Sequence, residues 1–162
     1  MASDRRNIAA SKNPAFHSLE GDAVKTVLQL GIIFLFFFGL IARATETDDT
    51  HKAQTAAKAW LALVDAEKYG QSWDEAALLF RSAVMKVEWE KAAKAARAPL
   101  GTLKSRTLKS ANYTRSLLGA PDGEYVVIQF DSQFANKTSA IETVTPMRDK
   151  DGTWRVSGYY IK

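Results

Sequence analysis

The chain has 162 residues, no cysteine, two histidines and a formal net charge of +4. Without thiols it holds no disulfide framework, thiolate metal site, thiol nucleophile or haem-attachment motif. Its charge is mixed: beyond Ala44 there are 17 Lys/Arg against 15 Asp/Glu, a mild excess that argues against nucleic acid as a partner.

Residues 1–24 lack a sustained apolar period, contain Asn13-Pro14 and read as a cytoplasmic tail. The next stretch changes character. From Thr26 to Ala42 the chain reads TVLQLGIIFLFFFGLIA, uncharged and bounded by Lys25 and Arg43. As a helix it would span about 25 Å, close to a bilayer core of about 30 Å, with the flanking cations snorkelling. Residues 25–44 are therefore expected to form a transmembrane helix. Thr26, Ile32, Ile33, Phe34, Leu35, Phe36, Phe37, Phe38, Leu40 and Ile41 are the residues expected to span the membrane. Arg5, Arg6, Lys12 and Lys25 precede it, whereas Glu46, Asp48 and Asp49 follow it. That asymmetry holds the N-terminus in the cytoplasm and exports the remainder. Two readings of the segment stay open. A retained signal anchor fits the polar lead of 24 residues and the bulky Phe34 to Phe38 run. A cleaved signal fits Ala42-Arg43-Ala44, a small-x-small site with the cut after Ala44.

A polar connector over residues 45–51 leads into an exported domain over 52–162. The first soluble helix is expected from Lys52 to Tyr69, with Ala57, Trp60, Leu61 and Val64 on one face and Tyr69-Gly70 as its stop. Ser72-Trp73-Asp74-Glu75 matches a capping box, and the helix it opens should turn Trp73, Ala76, Ala77 and Phe80 inward. A third helix, Val87 to Arg97, carries Trp89, Ala92, Ala93 and Ala96. Pro99 should end it by pushing Ala98 out of helical geometry.

From Leu103 the period becomes two. Strands are expected at Leu103–Leu117, Glu124–Phe134, Ala140–Met147 and Thr153–Ile161. In the second, Val126, Ile128, Phe130 and Phe134 oppose Tyr125, Gln129, Asp131 and Gln133. In the last, Trp154, Val156 and Tyr160 oppose Arg155, Ser157 and Tyr159. Short links, among them Pro121-Asp122-Gly123 and Asp149-Lys150-Asp151-Gly152, imply an antiparallel meander. The fold class is α+β: one transmembrane helix, then three helices packed on a four-stranded antiparallel sheet.

No catalytic signature stands out. His17 lies before the membrane segment and His51 just after it, so no serine triad or zinc site can be assembled from them. Phosphate-loop and dinucleotide glycine patterns are absent, and no cofactor is implied. Asp131 and Glu142, on neighbouring strands with Tyr159 and Tyr160 near the next, are the candidates for general-base chemistry in a pocket. Solvent-facing strand charges are the simpler reading of both. The four tryptophans, Trp60, Trp73, Trp89 and Trp154, suit a core better than a ligand pocket.

Several runs carry a family resemblance: Ala59-Trp60-Leu61, Ser72-Trp73, Arg97-Ala98-Pro99-Leu100-Gly101, Phe134-Ala135-Asn136-Lys137 and Gly152-Thr153-Trp154-Arg155-Val156. From about Ala53 to Lys162 the chain resembles the bacterial exported family catalogued as domain of unknown function 4019. That resemblance transfers no functional residue. The helices followed by a sheet ending in D-G-x-W-R-V also resemble, more distantly, the nuclear-transport-factor-2-like superfold. This implies a cystatin-like cone with a curved sheet. The expectation is a non-enzymatic, single-pass domain on the periplasmic side of a bacterial inner membrane. It touches membrane lipid and integral membrane partners as a binding module or accessory subunit, with any small-molecule ligand unspecified. The alternatives are a pocket isomerase using Asp131 or Glu142, and a cleaved, soluble periplasmic binding protein.

Overall fold

The computed structural model of the chain describes residues 46–162. The expected tail, the expected membrane segment with its ten named residues, and His17 lie outside them. Among the described residues no helix is long and apolar enough to cross a membrane.

Helix α1 runs over residues 46–65, so residues 46–51, read as a connector, are already helical. Ala53, Ala57, Trp60, Leu61 and Val64 recur at helical spacing and are buried, which seats one stripe of α1 on the core. The helix stops earlier than the sequence suggests. Glu67, not Gly70, takes the left-handed turn, at φ 59°. Tyr69 then opens α2 (Tyr69–Asp74) instead of closing α1.

Tertiary hydrogen bonds account for that shift. The Trp60 indole donates to the Ser72 carbonyl at 2.7 Å, and the Trp89 indole donates to the Tyr69 carbonyl at 3.1 Å and to Ser72 Oγ at 2.9 Å. Ser72 is therefore a buried residue inside α2 whose hydroxyl donates to the Tyr69 carbonyl, and the expected capping box does not form. At Gly70 an added Cβ would meet only the movable ends of the Glu90 and Lys86 side chains.

The second expected helix is split in two. α2 ends at Asp74, Ala76 and Ala77 are fully buried in the break, and α3 (Leu78–Ala83) follows. The Ala77 amide donates to the Val156 carbonyl at 2.9 Å, tying the helical layer to the last strand. α4 (Lys86–Arg97) buries Trp89, Ala93 and Arg97, while Ala92 and Ala96 face solvent. Ala98 keeps helical dihedrals, φ −56° and ψ −40°, and the chain tightens into a 3-10 turn, Ala98–Leu100, with Pro99 at its start. α4 therefore ends at Arg97 as expected, but Ala98 is not pushed out of helical geometry.

The strands are β1 (Leu103–Thr114), β2 (Tyr125–Phe134), β3 (Lys137–Arg148) and β4 (Trp154–Ile161), in the order β1-β2-β3-β4 and all antiparallel. The α+β class and the meander stand as expected; among the described residues there are four α-helices rather than three. The inner face of the sheet presents Val126, Ile128, Phe130, Val144, Trp154 and Val156 to α1, α2 and α4.

Irregularities in the pairing decide which side chains point inward. Pro146 pairs with Val156 but Thr145 pairs with Gly158, so Ser157 is an extra residue in β4. Its hydroxyl donates to the Thr145 carbonyl at 2.8 Å. The bulge reverses the alternation, so Tyr159 packs against the core while Tyr160 is 63% exposed, opposite to the simple period-two reading. Tyr125, expected on the polar face, is buried and donates its hydroxyl to the Pro121 carbonyl at 2.7 Å.

Candidate functional site

Four ionised side chains meet between α1, α4 and the sheet. Arg97 reaches the site because α4 places it eight residues beyond Trp89 and four beyond Ala93, on the buried face. Asp65 closes the last turn of α1, four residues after buried Leu61. Arg106 pairs with Ser132, and Glu142 with Phe130, on the inner face of the sheet.

The geometry leaves Glu142 without a vacant acceptor position. Oε1 accepts from Arg97 Nη1 at 2.8 Å and from the Tyr159 hydroxyl at 2.8 Å. Oε2 accepts from Arg106 Nε at 2.7 Å and from the Ser132 hydroxyl at 2.6 Å. Asp65 closes the other side, accepting from Arg97 Nη2 and, through both oxygens, from Arg106 at 2.7 and 3.0 Å. Arg97 also lies over the Phe134 ring, 4.5 Å from its centroid. Two guanidinium groups thus face two carboxylates, and the formal charges cancel.

Burial would by itself discourage these charges, and the partners reverse its effect. Against desolvation, hydrogen bonds to Asp65 and Glu142 hold the Arg106 guanidinium above its usual range. Arg97 is likewise raised, by Tyr159, Glu142 and Asp65. For Tyr159, burial and then the Glu142 charge push the phenol well above its ordinary value. The hydroxyl stays protonated and serves as a donor to the carboxylate.

A cleft of about 140 Å³ lies against the cluster, lined by Val64, Asp65, Glu67, Tyr69, Arg97 and Leu103 among others. Asp65, with 21% of its side chain exposed, is the cluster's most accessible member; Glu142 does not line the cleft. A general base needs a free lone pair within reach of a substrate proton. Glu142 has neither feature.

The other sequence candidates are dispersed. Asp131 points out of the opposite face of β2, 59% exposed, in a surface pair with Lys109 at 3.1 Å. It meets neither Glu142 nor a tyrosine hydroxyl. His51 is exposed on α1. Trp60, Trp89 and Trp154 are buried in the core and Trp73 packs against it. Trp60, Trp89 and Tyr159 form an aromatic cluster with centroid separations of 5.5–6.2 Å. Among the described residues no three His, Cys, Asp or Glu side chains are grouped to hold a metal ion.

Glu142 and its neighbour Tyr159 were visible in the sequence; the charged members Arg97, Arg106 and Asp65 were not. Arg97 and Asp65 carry a signal, a charge in phase with an apolar helix face; Arg106 carries none, because register shifts on either side of it in β1 set which way it points.

The family model described as protein of unknown function, DUF4019, matches residues 56–159, which takes in α2–α4, the second half of α1 and nearly the whole sheet. The chain belongs to this family. All four charged members of the buried cluster fall inside the match. No curated protein and no solved structure matches the DUF4019 chain.

Proposed function

We propose that this DUF4019 protein is a non-enzymatic, single-pass membrane-tethered module of the bacterial inner membrane. Its N-terminus is cytoplasmic, its α+β domain is periplasmic, and it acts as a binding module or accessory subunit of a membrane complex. The observation that carries the reading is the uncharged run from Thr26 to Ala42, set between a basic lead and an acidic exit. The buried cluster supports the non-enzymatic part. Its carboxylates are consumed by internal partners, so the groups that could do chemistry hold α1, α4 and the sheet together. A pocket isomerase using Glu142 would have to break at least one of those bonds before the carboxylate could take a proton. The finer fold reading, a cystatin-like cone, is supported by the strand bulges, which bend a sheet.

Mild-detergent affinity purification of the native protein, with mass spectrometry of what accompanies it, tests the role. A fixed, stoichiometric set of integral membrane partners is expected. A monodisperse lone chain would contradict the accessory-subunit reading.

A further inference from the structure

One end of the sheet carries an apolar loop tip held in place by hydrogen bonds. The β1–β2 loop reads Arg115-Ser116-Leu117-Leu118-Gly119-Ala120-Pro121-Asp122-Gly123. Leu118 at its tip is 108% exposed, the highest value among the exposed large hydrophobic residues. The loop is closed at its base by the Gly123 amide donating to the Arg115 carbonyl at 3.1 Å, and at its tip by the Ala120 amide donating to Leu117 at 3.1 Å. Tyr125 fastens its far arm through Pro121 at 2.7 Å. Gly119 takes φ 82°, and a Cβ there would meet nothing within 4 Å, so the tip stands clear of the domain. Leu118 is exposed by a built turn.

The same end holds the start of α1. Tyr113 at the end of β1 donates to Glu124 at 2.7 Å, Arg148 donates to Glu124 at 3.2 Å, and Arg148 lies 4.0 Å from Asp49 in the first described turn of α1. Arg115 is held above its usual range first by Tyr113, with a smaller contribution from Glu46. Only four residue steps separate Ala42, the last residue of the uncharged run, from Glu46, so the chain between them reaches at most about 14 Å.

We infer that the Leu117-Leu118-Gly119-Ala120-Pro121 tip rests on the outer surface of the lipid bilayer, a second contact beside the tether. This rests on the membrane-tethered reading and adds to it a defined face of the domain. The occupant is lipid because the tip is short, apolar and uncharged, and lies at the end of the domain where α1 begins. The apolar contact carries the attraction; the acidic Glu46, Asp48, Asp49 and Asp122 near this end are largely offset by Lys52, Arg115 and Arg148, so charge selects no headgroup. The tether makes this weak contact effectively intramolecular.

The absence of cysteine allows a direct test on the full chain. Single Leu118→Cys, Thr138→Cys and Phe36→Cys variants, each carrying a nitroxide, would be reconstituted in phosphatidylethanolamine/phosphatidylglycerol vesicles. Collision with oxygen would be compared with collision with a water-soluble nickel complex. Thr138 is exposed near the opposite end of β3. The expected oxygen-to-nickel ratio at position 118 exceeds that at 138 by about threefold or more, as for a side chain in the headgroup–acyl boundary, and the ratio at 36 is higher still. A water-like 118 with a lipid-buried 36 overturns the loop contact and leaves the tether standing. A water-like 36 overturns the tether and the loop contact together.

Discussion

Arg97 and Glu142, 45 positions apart in sequence, meet at 2.8 Å with 5% and 0% of their side chains exposed. The pair joins the end of α4 to the middle of β3, and Arg106 and Asp65 extend it to β1 and α1. Water has been replaced around both charges by fixed partners, so removing either one strands the other. Glu142→Ala should therefore destabilise the fold by about 3–5 kcal/mol, the range for breaking a buried ion pair from one side. Thermal unfolding of the full chain in mild detergent, followed by near-ultraviolet circular dichroism, measures it. A loss below about 1 kcal/mol, the scale of an exposed pair, would show that the cluster is solvated.

Tyr159→Phe removes the hydroxyl that donates to Glu142 Oε1 and accepts from Arg97 Nη1 at 3.2 Å. Two other donors and Ser132 remain on the carboxylate, so the expected cost is about 1–2 kcal/mol. The pH dependence has a definite sign. A folded-state pKa raised above the unfolded value of 10.0 contributes stability that is complete below pH 10 and is lost as pH rises through the folded value. Tyr159→Phe should reduce the alkaline loss of stability seen in the parent. Tyr69, Tyr113 and Tyr125, which burial also raises, and Lys52, raised by Asp48, contribute to the remaining slope.

Ser72→Ala deletes a hydroxyl that is fully buried between α1, α2 and α4. The Trp89 indole keeps its bond to the Tyr69 carbonyl, so no donor is orphaned. The cost should stay near 1 kcal/mol. Chemical unfolding followed by tryptophan emission reads both the midpoint and any change in indole environment.

Glu124 is held below its usual carboxylate range first by the hydroxyl of Tyr113, which opposes burial, and then by Arg148. Its contribution to stability is present above the unfolded value of 4.5 and disappears as pH falls through the lower folded value. Tyr113→Phe should move the Glu124 titration upward, as read from the side-chain carboxyl carbon by nuclear magnetic resonance. No movement would assign the depression to Arg148 instead.

Much of the sheet was legible because its strands alternate and its turns use Pro, Asp and Gly. The helical layer was less so. Trp60 and Trp89 select Tyr69 and Ser72 as hydrogen-bond partners across 12 to 20 residues, and no local rule for helix ends sees that. The inversion of Tyr159 and Tyr160 depends on one extra residue, Ser157, whose effect appears only once β3 and β4 are paired. For the candidate site, Glu142 sat visibly between buried Ala140 and Val144, but the guanidinium groups that neutralise it come from elements 36 and 45 residues away. A charge in phase with an apolar face was the available signal for Glu142, Asp65 and Arg97, and it names no partner; Arg106 lacks it, because the register shifts in β1 set its direction.

The tether is the centre of the functional account, and intact-mass measurement of the protein extracted from the membrane fraction tests it most directly. A membrane-bound chain whose mass includes residues 1–44 is expected. A soluble chain beginning at Thr45 would contradict it, making the domain a free periplasmic protein.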